Sequence, residues 1–228
     1  MKEILSKANT RRLLATLEEA FPDSGCLLAF ETPFQLLVAT MLMNQSTAEK
    51  VNALTGKLFA KYPGPTDFAK LTPDELQEEI QELGIFRAKS DHIIGAAQRI
   101  VDWYKGEVPR TQEELVKLPG VGRKTANLVI ANAYGIPAIA IDPHIQRTAN
   151  RIGMTNSMNP EITEKQLCQR IPQRLWTKTH HILYRLSREY CTAKNPDCYG
   201  CPAERTCQFR ILLDEDDKLR EKVFVEQA

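Results

Sequence analysis

Leu118-Pro119-Gly120-Val121-Gly122-Arg123-Lys124-Thr125-Ala126-Asn127 joins two amphipathic segments, Thr111 to Leu118 and Gly122 to Tyr134. Two helices meeting at a tight glycine-containing turn make an αα-hairpin. The glycines let the backbone come close to a ligand, and a helix N-terminus presents free N–H groups, a combination suited to phosphate. Contacts made this way position DNA without reading its sequence. Leu118, Gly120, Gly122 and Arg123 are therefore candidate DNA-binding residues. A plain connection in a helical core would use the same turn.

Lys124 sits in the first turn of the second helix, the electropositive end, where a cation is disfavoured by roughly 0.3–1 kcal/mol. A neutral amine there is a nucleophile suited to Schiff-base chemistry at a sugar C1′. A solvated surface lysine is the ordinary alternative. Asp142 follows eighteen residues later, before Pro143-His144. Asp followed by Pro at the first helical position is a good N-cap. The same carboxylate beside Lys124 could stabilise developing positive charge or move a proton.

Outward from the hairpin, the periodicity is helical nearly throughout, with no run of alternating polar and apolar residues, so the fold class is all-α. About ten helices are expected. Ser46-Thr47-Ala48-Glu49, Thr72-Pro73-Asp74-Glu75 (with Gly84 as the stop) and Thr111-Gln112-Glu113-Glu114 read as capping boxes. Pro33 opens a very apolar core helix, Phe34 to Met43. From Ala88 to Tyr104, residues Ile93, Ile94, Ala97, Ile100, Val101 and Tyr104 share one face.

The chain has 228 residues, 43% hydrophobic and 26% charged, an ordinary globular balance that excludes collagen-like and low-complexity classes. Its longest near-continuous apolar run, Leu36 to Met43, falls well short of the ~18 residues a membrane span needs. Residues 1–7 lack a long apolar segment and a small-residue cleavage site, so a cytoplasmic protein without membrane contact is expected. Lys and Arg number 30 against 29 Asp and Glu. The segment 211–228 carries six acids and three bases, leaving 27 bases and 23 acids on residues 1–210. A mildly basic body with an acidic tail is permissive for DNA. Asp214-Glu215-Asp216-Asp217 reads as a solvated face or a frayed end.

Cys191-x6-Cys198-x2-Cys201-x5-Cys207 places four thiols in one short loop. A structural zinc or a [4Fe–4S] cluster suits such a set, and a disulfide framework suits it poorly. Zinc modules usually present two close pairs, whereas this loop has one, so the spacing leans toward iron–sulfur. Cys26 and Cys168 read as buried small hydrophobes.

The hairpin with its Lys, the Asp eighteen residues on and the cysteine loop together resemble the endonuclease III family of the helix-hairpin-helix superfamily, bacterial DNA glycosylases and abasic-site lyases. The resemblance runs from about residue 10 to 210. It implies two helical lobes with DNA crossing the cleft: a barrel at 23–135, and a cluster lobe built from 1–22 and 136–210, followed by the tail. It implies that Lys124 is the nucleophile, that Asp142 is the catalytic carboxylate and that the four cysteines hold a [4Fe–4S] cluster. Gln45 and Ile85 match residues that enter the space left by a flipped base, and His144 matches a DNA contact. The implied partner is double-stranded DNA with damaged bases or abasic sites, met by a monomer.

Against that pattern, Met43 and Asn44 are bulkier than the small residues usual before Gln45, and Ala48 replaces an Asp. The resemblance places these three at the lesion pocket. Pro143 replaces a Thr, Leu186-Ser187 replace a His-Gly pair, and Thr192 to Asp197 is less positive than usual. The leading function is removal of oxidised pyrimidines with β-elimination at the abasic site. Alternatives are another base (mismatched, uracil or alkylated), a main role as an abasic-site lyase, a non-catalytic iron–sulfur DNA-binding protein, and a zinc-stabilised helical module.

Overall fold

In the computed structural model, residues 3–216 and Val223 are described. Among them there are twelve α-helices, two 3-10 turns and no strand, as the all-α reading predicts. The residues divide into two compact units, Cys26–Ile136 and a second built from Met1–Gly25 with Pro137–Ala228.

The first unit holds α2 (Pro33–Leu42), α3 (Ala48–Lys61), α4 (Pro65–Phe68), α5 (Pro73–Ile80), α6 (Phe86–Tyr104), α7 (Gln112–Leu115) and α8 (Arg123–Ala133). Thr32 caps α2 through Gln35 N, Pro33 takes the first turn, and every residue from Phe34 to Leu42 is buried. A helix apolar on all sides needs neighbours on all sides; α3, α6 and α8 supply them. Phe34 and Tyr62 each meet the Phe68 ring edge-on, at centroid separations of 5.3 and 5.9 Å, and seal one end of this core. On α6, Ile93, Ile94, Ala97 and Ile100 are buried, while Val101 and Tyr104 are half-buried at its margin.

Two expected helix boundaries move. Thr47 is the cap of α3, accepting from Lys50 N, so the start lies one residue after the Ser46 reading. The Thr72 capping box forms as expected, but α5 ends at Ile80, ahead of Gly84, and Leu83 N closes a turn onto Ile80 O.

The second unit holds α1 (Lys7–Ala20), α9 (Pro143–Ile152), α10 (Pro160–Arg170), α11 (Trp176–Glu189) and α12 (Gln208–Glu215), with 3-10 turns at Gln173–Leu175 and Glu204–Thr206. Its core joins Leu13, Leu14 and Leu17 of α1 to Ile145 and Ile152 of α9 and Leu183 of α11. Buried Leu183 and Leu186 alone represent roughly 3–6 kcal/mol of apolar transfer. The acidic segment does not begin as a tail. Residues 211–215 continue α12, and Leu213 is buried, because Phe209 and Leu213 form an apolar pair one turn apart. Asp214 to Asp216 form its exposed end, and Asp217 lies outside the described residues.

Candidate functional site

The hairpin forms between α7 and α8. Thr111 caps α7 through Glu114 N, and the side-chain amide of Gln112 donates to Asn127 Oδ1, tying the two helices together. Leu118 is buried and Val121 N returns to Leu118 O at 3.2 Å, so the turn exposes backbone rather than apolar side chains.

The two glycines of this turn serve different ends. Gly120 has φ +72°, and a Cβ there would lie 2.6 Å from His92 Cβ and 2.8 Å from His92 Cγ. Only glycine fits both the conformation and the space. Gly122 caps α8 in ordinary extended backbone, φ −91°, and a Cβ added there would meet no atom within 4 Å. Nothing inside the protein requires glycine at 122, whereas a ligand approaching the α8 N-terminus would. Arg123 begins α8, and Lys124 follows, half-buried in the first turn.

Helix α6 organises this unit's exposed features. Gly95 lets the Pro119 ring sit over the helix, with 3.2 Å between an added Cβ and Pro119 Cγ. Arg99 donates to Lys117 O. The N-cap of α6 is Ile85, 52% exposed and at φ +60°. Gln45, in the turn after α2, is exposed and also at φ +60°. Left-handed backbone is uncommon for a residue with a side chain and a marked outlier for a β-branched one. The residues the resemblance places in the DNA stack are therefore held in strained turns, each strained by about 1–3 kcal/mol. Beside Gln45, Met43 is half-buried, Asn44 exposed and Ala48 buried at the first position of α3.

In the other unit, Asp142 is the N-cap of α9. Its Oδ1 accepts from Ile145 N at 2.8 Å, and Pro143 takes the first helical position. Both halves of the capping reading are present. His144 follows, half-buried. Lys124 and Asp142 thus belong to different units.

The cysteine loop packs in the same unit as Asp142. Cys191, Cys198, Cys201 and Cys207 are free thiols lining one cavity with Ile152, Tyr190 and Phe209. Burial pushes the Cys198 thiol up to about 11, with the Cys207 and Cys191 sulfurs adding to it. Burial pushes Cys201 up to about 12. Thiols raised in this way ionise readily only beside a compensating cation centre. The backbone is arranged for sulfur anions: the N–H groups of Phe209 and Arg210 face Cys207 Sγ, and that of Ala203 faces Cys201. Arg151 Nη1 lies 3.7 Å from Cys191 Sγ, and the Arg151 guanidinium stacks on Phe209. Arg147 donates to Cys191 O at 2.9 and 3.1 Å, fixing the loop's first residue. Among the described residues, no three His, Cys, Asp or Glu side chains are arranged to hold a single ion. The four thiols line one cavity, a donor set that could hold a metal centre there.

Sequence reasoning missed Lys89. It lies on the apolar face of α6, 7% exposed, four residues before Ile93. A cation interrupting an apolar stripe is the signal that could have found it.

The chain matches the model of the HhH-GPD superfamily of base excision DNA repair proteins over residues 38–173. It is 41% identical to the endonuclease III of Bacillus subtilis over 86% of this chain and 90% of the relative. It is 34% identical to that of Escherichia coli K12, over 92% and 100%. Its fold superposes on a trapped endonuclease III–DNA covalent intermediate with a TM-score of 0.88 and 39% identity, covering 92% of this chain and 100% of that one. A non-covalent endonuclease III–DNA complex gives 0.88 at 38% identity. The chain belongs to the endonuclease III family of DNA glycosylase/lyases, within the HhH-GPD superfamily of base excision DNA repair proteins.

Proposed function

We propose that this enzyme removes oxidised pyrimidines from double-stranded DNA and cleaves the resulting abasic strand, with Lys124 as nucleophile and Asp142 as its catalytic carboxylate. The observation that carries the reading is the hairpin, which puts Lys124 in the first turn of α8 directly after a backbone turn open to phosphate. Leu118, Gly120, Gly122 and Arg123 hold the duplex through the backbone. His144 adds a contact from α9.

A damaged pyrimidine leaves the stack at a cost of a few kcal/mol, less when it is poorly paired. Gln45 fills the gap and hydrogen-bonds the widowed base, while Ile85 wedges the stack open. The Lys124 amine attacks C1′, the C1′–N bond breaks and the base leaves with its bonding electrons, taking up a proton. Asp142 stabilises the positive charge that develops. The Nζ lone pair then opens the sugar ring, breaking C1′–O4′ while O4′ takes up the proton that Nζ releases, and the resulting C1′ iminium acidifies the C2′ proton, whose removal forms the C2′–C3′ double bond and expels the 3′ phosphate. Met43, Asn44 and Ala48 flank the lesion and select it.

The four cysteines hold a [4Fe–4S] cluster in this reading, and the cluster's role is to fix their loop. Their shared cavity, the N–H groups facing sulfur and the Arg151 contact support it. Among the described residues no helix is long and apolar enough to cross a membrane. Action as a monomer on nucleoid DNA fits this reading.

The test is borohydride trapping on one duplex with thymine glycol and another with an abasic site, with Lys124→Ala as control. Trapping on both, lost in the variant, is the expected result. Trapping on the abasic duplex alone overturns the oxidised-pyrimidine assignment. Trapping on neither overturns the amine mechanism.

A further inference from the structure

Lys89 makes two bonds. Its backbone N–H donates to Ile85 O at 3.2 Å, the first helical bond of α6 and one that any non-proline residue at 89 would make. Its Nζ crosses to α2 and donates to Leu42 O at 2.9 Å, in a fully buried bond. Leu42 ends α2, three residues before Gln45; Ile85 opens α6, four residues before Lys89. The last turn of α2 contains no basic residue of its own. Its Leu42 carbonyl, at the negative end of the helix dipole, takes this ammonium from another helix. Burial without a carboxylate partner is costly for a lysine, and it pulls the Lys89 pKa below its ordinary value. A methionine would fill the same space without that cost, so the core does not explain the choice of lysine.

We infer that Lys89 is a positioning residue that locks the Gln45 turn to the Ile85 turn, so that the two side chains enter a duplex at a fixed spacing. The inference rests on the reading of Gln45 and Ile85 as residues that probe the stack. Helix α6 extends the lock to the hairpin, since His92 packs against Gly120 and Gly95 receives Pro119 two and three turns from Ile85. Without the Nζ bond, α2 still packs on α6, but the end of α2 that leads into the Gln45 turn loses its hydrogen bond to that helix, while the hairpin keeps its contacts at His92 and Gly95. A misplacement on the order of 1 Å at a reacting assembly costs about a hundredfold in rate.

The experiment compares single-turnover base release from a paired lesion with release of the same lesion opposite a missing nucleotide, where no stack has to be opened. For Lys89→Met, release from the paired lesion should fall between about tenfold and about a hundredfold. Release from the unpaired lesion should stay at the wild-type rate. Lys89→Gln, which keeps an N–H donor without the charge, should fall between. An equal loss on both substrates, no loss on either, or global unfolding of both variants by circular dichroism would overturn the positioning role. Gln45→Ala and Ile85→Ala run alongside. If they leave paired release intact, the stack-probing reading fails. If they impair it and Lys89→Met does not, the Lys89 inference alone fails.

Discussion

Gly122→Ala separates the hairpin's structural demands from its contact with DNA. The substitution adds one methyl at φ −91°, ψ 175°, a conformation any residue adopts, in space with nothing within 4 Å. Alanine is a poorer N-cap than glycine by about 0.5–1 kcal/mol. Restricting the unfolded chain returns about 0.4–1 kcal/mol. Stability should therefore change by less than about 1 kcal/mol. A phosphate accepting from the α8 N-terminus is a different matter, because the methyl stands where it must approach. Losing one charge-assisted hydrogen bond removes about 1.5–3 kcal/mol, which weakens Kd for DNA roughly tenfold to a hundredfold. Gly120→Ala gives the opposite pattern. Left-handed backbone at φ +72° costs about 1–2 kcal/mol. The clash with His92 Cβ adds about 1–3 kcal/mol. Fluorescence anisotropy with undamaged duplex and thermal unfolding of the free protein give the two readouts. Wild-type DNA affinity in a normally stable Gly122→Ala protein would refute the phosphate role of this turn.

Asp142→Asn should keep the α9 cap, since Asn caps as well as Asp, and lose most base excision; Asp142→Ala should lose that activity and about 1 kcal/mol of stability as well. Equal activity of Asp142→Asn and wild type in single-turnover assays would reduce Asp142 to a cap. Cys198→Ser should abolish the brown absorbance and lower Tm, and retention of full iron content by elemental analysis would count against its place in the ligand set. His181 is buried, and desolvation together with His180 and Lys178 holds its pKa down at about 3, so it is neutral in the fold. The unfolded chain binds that proton near 6.5, so this contribution to stability is complete above 6.5 and is lost as pH falls toward 3. His181→Gln should flatten urea stability between pH 7 and 5, and an unchanged pH slope would rule the residue out as its source.

The features legible in the sequence are those in which one residue type has one physical use. Pro33 and Pro143 open helices because their missing N–H is an orphan there in any case, and both do so. Thr72 with Glu75 forms its reciprocal cap. Where two residues compete for a role, local signals fail: Ser46 and Thr47 can each cap, and the buried Ala48 decides for Thr47 by setting which face of α3 turns inward. The acidic run after Ile211 hides a continuing helix because Phe209 and Leu213, four apart, outweigh the flanking carboxylates. The strain at Gln45 and Ile85 is not legible, since neither residue type favours left-handed backbone.

The same distinction ranks this chain's departures from the family pattern. Pro143 in place of a Thr looks intrusive beside Asp142, yet it occupies the one helical position where a proline removes no bond, and the cap reaches past it to Ile145 N. The Asp142 cap forms with Pro143 in place. Leu186 in place of a His is likewise absorbed: it is fully buried, and its carbonyl accepts from Cys191 N at 2.7 Å, a bond to the cysteine loop that needs no side chain at 186. Ala48 has no such compensation. At the first position of α3 an aspartate would face the helix N-terminus with a favourable interaction of about 0.3–1 kcal/mol, and it would add an acceptor beside the Gln45 turn. Alanine contributes neither, while Met43 and Asn44 add bulk on the other side of the same turn. In the proposed reading, where 43–48 flank the lesion, Ala48→Asp is the substitution that should shift the ratio of release rates between two damaged pyrimidines. A matching shift from Pro143→Thr would place the selectivity at the α9 start instead.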